Sequence, residues 1–241
     1  MSIWDRKSPK IRSFFLKIVA AAAMVCFCAC VDEDVARGND ALRIGDYDRA
    51  IANFNKALDQ QPAHRNARYG LALSYYAVAE NGEKLNGPTF ELWERTAREF
   101  EILSRVDSSG KIDANYSTCL FYLAKATMEQ HRKANVLPLL DQSIQLDSLN
   151  FFSYNLKALI LARQGRTEEA KNIFIYVVTK EPKFASAYVN LGNIYWEEGD
   201  IESAWDIWSM GHEALPKDRA LARWTKVAED SLKAKILSEE L

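Results

Sequence analysis

A recurrence of 34 residues constrains this chain more than any other feature. Gly165, Ala170, Phe174 and Pro182 return as Gly199, Ala204, Trp208 and Pro216, and Ala158 returns as Gly192, each 34 positions later. Small, aromatic and proline residues in fixed phase at that period imply a stack of helix–turn–helix units. No such unit buries its apolar face alone, so neighbours must pack on one another. Pro62, Pro182 and Pro216 end the second helix of their units, because proline disfavours helical geometry in the residue before it. Gly45, Gly165 and Gly199 suit the tight turn between the two helices.

The phase runs back along most of the chain. Residues 185–218 carry Tyr188, Leu191, Gly192, Tyr195, Gly199, Ala204, Trp208 and Pro216, with departures at Gly211 and His212. Residues 151–184 carry Tyr154, Ala158, Leu161, Gly165, Ala170, Phe174 and Pro182. A degenerate copy in 117–150 keeps Leu120, Leu123, Ala124, Leu140 and Ser143. In 31–64 the second helix is well marked by Ala50, Phe54, Ala57 and Pro62. The first is weak there, with Asp34 and Arg37 where apolar residues would stand. Residues 65–116 form an irregular unit, with Leu71, Ala72 and Tyr75 on one helix and Thr96, Phe100 and Leu103 on the other. Between them, 81–88 reads as a turn-rich insertion.

This pattern resembles the tetratricopeptide repeat (TPR) family, whose helix A carries bulky–Leu–Gly–Tyr and whose helix B carries Ala–Phe–Ala–Pro. The resemblance implies an all-α fold, a right-handed TPR superhelix of about five helix–turn–helix repeats spanning 31–218. Residues 219–241 then form a capping helix, with Leu221, Trp224, Ala228, Leu232 and Ile236 along one stripe and Asp218 as its N-cap. Small residues at Gly38, Ala72, Ala124, Ala158 and Gly192 let helix A lie close to its helix B. Phe54, Phe100, Leu140, Phe174 and Trp208 fill the space between units.

The amino terminus carries a second signal. Arg6, Lys7, Lys10, Arg12 and Lys17 precede an apolar run from Ile18 to Val31, which Asp32, Glu33 and Asp34 close. A basic segment followed by a short apolar one is the pattern of an export signal. The run falls short of the roughly 20 residues that a bilayer-spanning helix needs. Its end resembles a bacterial lipoprotein signal: Ala29 precedes Cys30, although Phe27 and Cys28 depart from the usual lipobox. The resemblance implies residues 1–30 as a signal segment, Cys30 as the lipidated residue, and membrane attachment through that lipid. The corresponding location is the bacterial cell envelope, on the periplasmic side of the outer membrane. An uncleaved anchor and simple secretion are the alternatives.

Charge and chemistry narrow the function. Beyond residue 30 the chain keeps 26 basic and 32 acidic residues, a net charge of −6, which argues against a nucleic-acid partner. The three histidines, His64, His131 and His212, fall in different units, a poor basis for a metal site. No phosphate loop or nucleophile motif is present. Glu168-Glu169 and Glu197-Glu198 read as solvated faces, since adjacent helical residues diverge. Cys119 reads as a small buried apolar residue. No enzymatic activity, cofactor, metal or small-molecule substrate is expected; the expected partner is a protein or peptide.

In the TPR family the concave groove is lined by helix A residues that share one face. Here the resemblance selects Tyr69, Leu73 and Tyr76 in the irregular unit and Phe121 and Lys125 in the next. It continues with Phe152, Asn155 and Arg163, then Asn193 and Trp196. Aromatic rings among amides and cations suit an extended peptide, the rings supplying area and the amides holding its backbone. The same spacing also serves inter-repeat packing, so each aromatic has a second reading as core. The function implied is a scaffold that recruits or holds a partner for envelope assembly. The alternatives are a structural subunit packing through its convex face and a glycan- or ligand-binding repeat protein.

Overall fold

The computed structural model describes residues 30–106, 110–131 and 134–239. Among them every regular element is a helix and none is a strand. Helix α1 occupies 30–43, followed by α2 (Tyr47–Gln60), α3 (Arg65–Lys84) and α4 (Phe90–Ser104). Then come α5 (Asp113–Gln130), α6 (Leu137–Leu146), α7 (Phe151–Arg163), α8 (Thr167–Lys180), α9 (Ala185–Glu197), α10 (Ile201–Ala214) and α11 (Arg219–Glu239). The chain divides into two compact units, one ending at Gly110 and one beginning at Lys111. The first holds α1–α4 and the second α5–α11. Residues 1–29, most of the stretch expected from the sequence to be a signal segment, lie outside the described residues. Cys30 stands exposed at the start of α1. No helix among the described residues is long and apolar enough to cross a membrane.

Short-range rules place the helix ends. The turns after α1, α7 and α9 close on Gly45, Gly165 and Gly199 at φ of +78°, +78° and +82°, a left-handed conformation that glycine adopts without steric cost. Asp46, Asn150 and Asp200 each accept a hydrogen bond from the backbone N–H three residues on, capping α2, α7 and α10. Helices α2, α8 and α10 stop two residues before Pro62, Pro182 and Pro216.

In the first unit, α1 and α2 pack through Val31, Val35 and Ala41 against Ala50, Phe54 and Ala57. Asp34 shows why this weak-looking helix holds. Its carboxylate is 2% exposed and accepts from Lys56 Nζ at 2.8 Å and Gln60 Nε2 at 3.0 Å. The Lys56 hydrogen bond lowers its pKa from the ordinary carboxylate value. A lowered folded-state pKa means stability that is present above the unfolded value of about 4 and lost as pH falls through the folded one. Asp34→Asn should therefore lower the melting temperature at neutral pH, with the gap to wild type closing at and below about pH 4. A gap constant across an acid titration would remove Asp34 from that role.

The 81–88 insertion differs from the expected loop. Helix α3 continues through Lys84, taking half of the insertion into an added helical turn. Glu83 Oε1 accepts from both Thr89 Oγ1 and Trp93 Nε1, tying the end of α3 to the start of α4. The turn signals at Asn81 and Gly82 were outweighed by this tie and by the close approach of Gly82 to Thr89.

The second unit has a continuous core of Leu161, Phe174, Val177, Leu191, Trp208, Leu221 and Ala228. Asp218 Oδ1 accepts from Ala220 N and Leu221 N, capping α11. The stripe on α11 is buried at Leu221 and Ala228 but not to its end: Ile236 is 57% exposed. Gly211 is small because a methyl there would lie 2.8 Å from Tyr188 Cβ and 2.9 Å from Leu221 Cδ2. Glu168 and Glu198 are not simply solvated. From α8 and the end of α9 they bracket Lys171 at 2.9 and 2.6 Å, and the ammonium lies 4.8 Å from the Tyr195 ring centroid. Both carboxylates raise the Lys171 pKa. Cys119 is fully buried, which pushes its thiol pKa up and keeps it from acting as a thiolate nucleophile.

Candidate functional site

The site is built on the helix A face of the second unit. Helix α5 places Thr118, Phe121, Tyr122 and Lys125 beside Asn150 and Phe152 at the start of α7. Together these six residues line a pocket of about 380 Å³. Phe152 is 62% exposed yet in ring contact on both sides, 5.8 Å from Phe121 and 5.2 Å from Phe184 between centroids. Phe121 also packs into the α5–α6–α7 core. Phe121 is thus partly core and partly pocket wall, and Phe152 is largely a surface group. Lys125 Nζ lies 5.9 Å from the Tyr122 centroid.

One turn beyond Phe152 on α7, Asn155 Oδ1 accepts from Asn190 Nδ2 of α9 at 2.9 Å. An amide side chain offers both donor and acceptor atoms, so Asn155 Nδ2 and Asn190 Oδ1 are not used in the bond between the two. Asn193 is half-buried on α9 and Arg163 is exposed at the end of α7. Trp196 is half-buried and tilted against Trp208 at 5.8 Å, so much of its surface belongs to the core.

Beneath the pocket lies a buried polar network. Ser117 Oγ donates to Ser143 O at 2.8 Å, Ser143 Oγ meets Ser153 Oγ at 2.7 Å, and Asn150 Nδ2 donates to Ser117 Oγ at 2.9 Å. These bonds fix the junction of α5, α6 and α7, and so the separation of Phe121 from Phe152. Buried polar groups that satisfy one another in this way hold a unique packing.

Tyr69, Leu73 and Tyr76 sit half-buried on α3 in the first unit. Tyr76 packs edge-on against Trp93 at 5.3 Å, so it supports the α3–α4 pair. Sequence spacing missed Tyr122, which follows Phe121 directly and breaks the three-and-four pattern. It also missed Asn150, which lies before the helix begins. Among the described residues no cluster of His, Cys, Asp or Glu could hold a metal ion.

Successive packed helix pairs and turn glycines at matching positions define a helical-repeat fold. Residues 35–78 and 155–208 match the model of the tetratricopeptide repeat. A TPR repeat-containing protein of Methanocaldococcus jannaschii is 24% identical over 172 residues, 69% of this chain and 29% of its own length. The chain thus spans less than a third of that relative. Among solved structures, YrrB, a TPR protein with an unusual peptide-binding site, is 19% identical. It superposes with a TM-score of 0.56 over 83% of this chain and 97% of its own. The C-terminal part of a TPR repeat-containing protein from Cytophaga hutchinsonii is 14% identical, with a TM-score of 0.57 over 83% of this chain and 72% of its own. The fold is therefore that of TPR proteins, which generally mediate protein–protein interaction.

Proposed function

We propose that this protein is a non-enzymatic scaffold that captures an extended segment of a partner protein on the helix A face of its second unit. The observation that carries the reading is the juxtaposition of the Phe121–Phe152 pocket with the Asn155–Asn190 amide pair one turn along. A pocket takes a side chain, and a neighbouring amide pair takes the backbone that bears it. YrrB carries a peptide-binding site, and we extend peptide capture to this chain on its own residues. The basic and apolar segment before Cys30 supports export and lipid attachment at that cysteine, which would hold the scaffold in the bacterial envelope, facing the periplasm. There its task is to recruit or hold a partner for envelope assembly.

A second face supports the alternative of packing within a membrane complex. Leu149 and Tyr176 are exposed and line, with Phe151 and Lys180, a separate pocket of about 510 Å³. Photo-crosslinking in the native cell separates the two readings. A photoreactive phenylalanine analogue at position 152 should yield a discrete crosslinked partner, and the same group at position 176 should not. The reverse pattern would move the function to the second face. Mass spectrometry of the mature amino terminus tests the anchor: acyl groups on Cys30 are expected, and an intact Met1 would remove that part of the proposal.

A further inference from the structure

The seam between α6 and α7 differs in kind from the next one along the stack. Residues 34 positions apart take equivalent places in successive repeats, so Ser143, Ser153 and Lys157 here correspond to Val177, Ala187 and Leu191 at the seam between α8 and α9. Those three are fully buried apolar residues of the α7–α11 core. Ser143 and Ser153 are equally buried, but they meet as hydroxyls, Oγ to Oγ at 2.7 Å. Asn150, just before α7, donates back to Ser117 Oγ of α5 and Ser143 Oγ of α6 at 2.9 and 3.3 Å. Lys157 Nζ pairs with Asp141 of α6 at 2.6 Å, and both side chains reach water. The apolar core of the second unit is correspondingly in two pieces. Val136 and Leu140 of α6 gather with Ala124 and Ile160, and the larger piece runs from Ala158 and Leu161 to Ala228.

We infer that this seam is a joint, at which α5 and α6 part from α7–α11 as a folded pair and close again. On opening, each hydrogen bond across the seam is exchanged for bonds to water at small net cost. The partly exposed ion pair loses little when its members separate. Apolar surface has no such substitute in water, so the α8–α9 seam stays shut under conditions that open this one. The hydroxyl and amide network therefore sets a single closed geometry and also permits the opened one. The rings of the pocket stand on opposite sides of the joint, Phe121 and Tyr122 on α5 and Phe152 at the start of α7. Opening draws them apart, so the pocket exists only in the closed arrangement. The joint follows from the packing of the second unit and does not depend on peptide capture.

The test is electron–electron distance measurement between two spin labels on the full chain in detergent, each attached through a genetically encoded keto amino acid. Positions 129 on α5 and 179 on α8 are exposed and span the joint; positions 179 and 206, on α8 and α10, lie on one side of it. The spanning pair should give a main distance and a second, longer one, and the control pair a single distance. Lys157→Leu restores at this seam the residue of the next repeat and leaves Asp141 in water. It should lower the longer population about fivefold, as added apolar burial does. Asp141→Lys sets two cations against each other and should raise that population about threefold. The two variants act in opposite directions, so a general loss of stability cannot imitate both. A single distance for the spanning pair would overturn the joint, as would a longer population that neither variant moves. A broad, featureless spread would also overturn it, because α5 and α6 would then be unfolding and not parting as a pair.

Discussion

Replacing Trp208 by alanine is expected to cost the second unit about 3–5 kcal/mol, the range for emptying a large aromatic site in a packed core. Trp208 is fully buried, stacked on Trp224 at 5.4 Å and tilted against Trp196 at 5.8 Å. Its indole N–H donates to Val189 O at 3.3 Å. It also covers Gly192, whose backbone approaches so closely that a methyl there would lie 2.6 Å from Trp208 Cδ1. Truncation removes three ring contacts or closures at once, and neighbouring helices cannot close the gap without abandoning their own contacts. Because a repeat stack is stabilised through nearest neighbours, the loss should loosen α11 from α9 and α10 before the rest unfolds. Urea denaturation followed by circular dichroism should show a lower midpoint, and hydrogen exchange should quicken first in 219–239. A loss below about 1 kcal/mol would mean that the three tryptophans do not act as one packed group.

The parts of this fold that were legible in the sequence obey local rules. Gly45, Gly165 and Gly199, the prolines, and the alternation of small and aromatic residues each follow from geometry within a few residues, and a 34-residue period repeats the signal. What was not legible depends on partners far apart in the chain. Ser117 meets Ser143 across 26 positions, Asn150 meets Ser117 across 33, and Asn190 meets Asn155 across 35. A serine in a degenerate repeat reads as a weak apolar position until its neighbour is in place. Asp34 read as a defect in α1, and the structure makes it the acceptor for two side chains of α2. The candidate site divides along the same line. Spacing on one helix found Phe121, Lys125, Phe152 and Asn155. Phe121, Lys125 and Phe152 line a pocket only together with Asn150 from a connection and Tyr122 from outside the pattern, and Asn155 stands one turn beyond it.

Gly70 is the other position where structure reverses a local rule, and its substitution gives the sharper test. It lies in the interior of α3, where alanine is ordinarily favoured over glycine by about 1 kcal/mol. By helix propensity alone, Gly70→Ala should stabilise the first unit. In the structure a methyl at Gly70 would stand 2.7 Å from Phe54 Cε2 and closer still to the adjoining ring edge, while one at Gly38 would stand 2.7 Å from Phe54 Cε1. The fully buried Phe54 ring is thus held between two helices that approach only because both positions lack a side chain. Forcing a methyl into that space costs about 1–3 kcal/mol, occasionally more, which outweighs the propensity gain. Gly70→Ala is therefore expected to destabilise the first unit by about 1–2 kcal/mol. The double variant Gly70→Ala with Phe54→Leu should be more stable than the sum of the two single losses predicts, because the smaller side chain accepts the methyl. Chemical denaturation of the four proteins in that cycle measures the coupling. Additive losses, or a stabilised Gly70→Ala, would show that α1, α2 and α3 do not close on Phe54 as described.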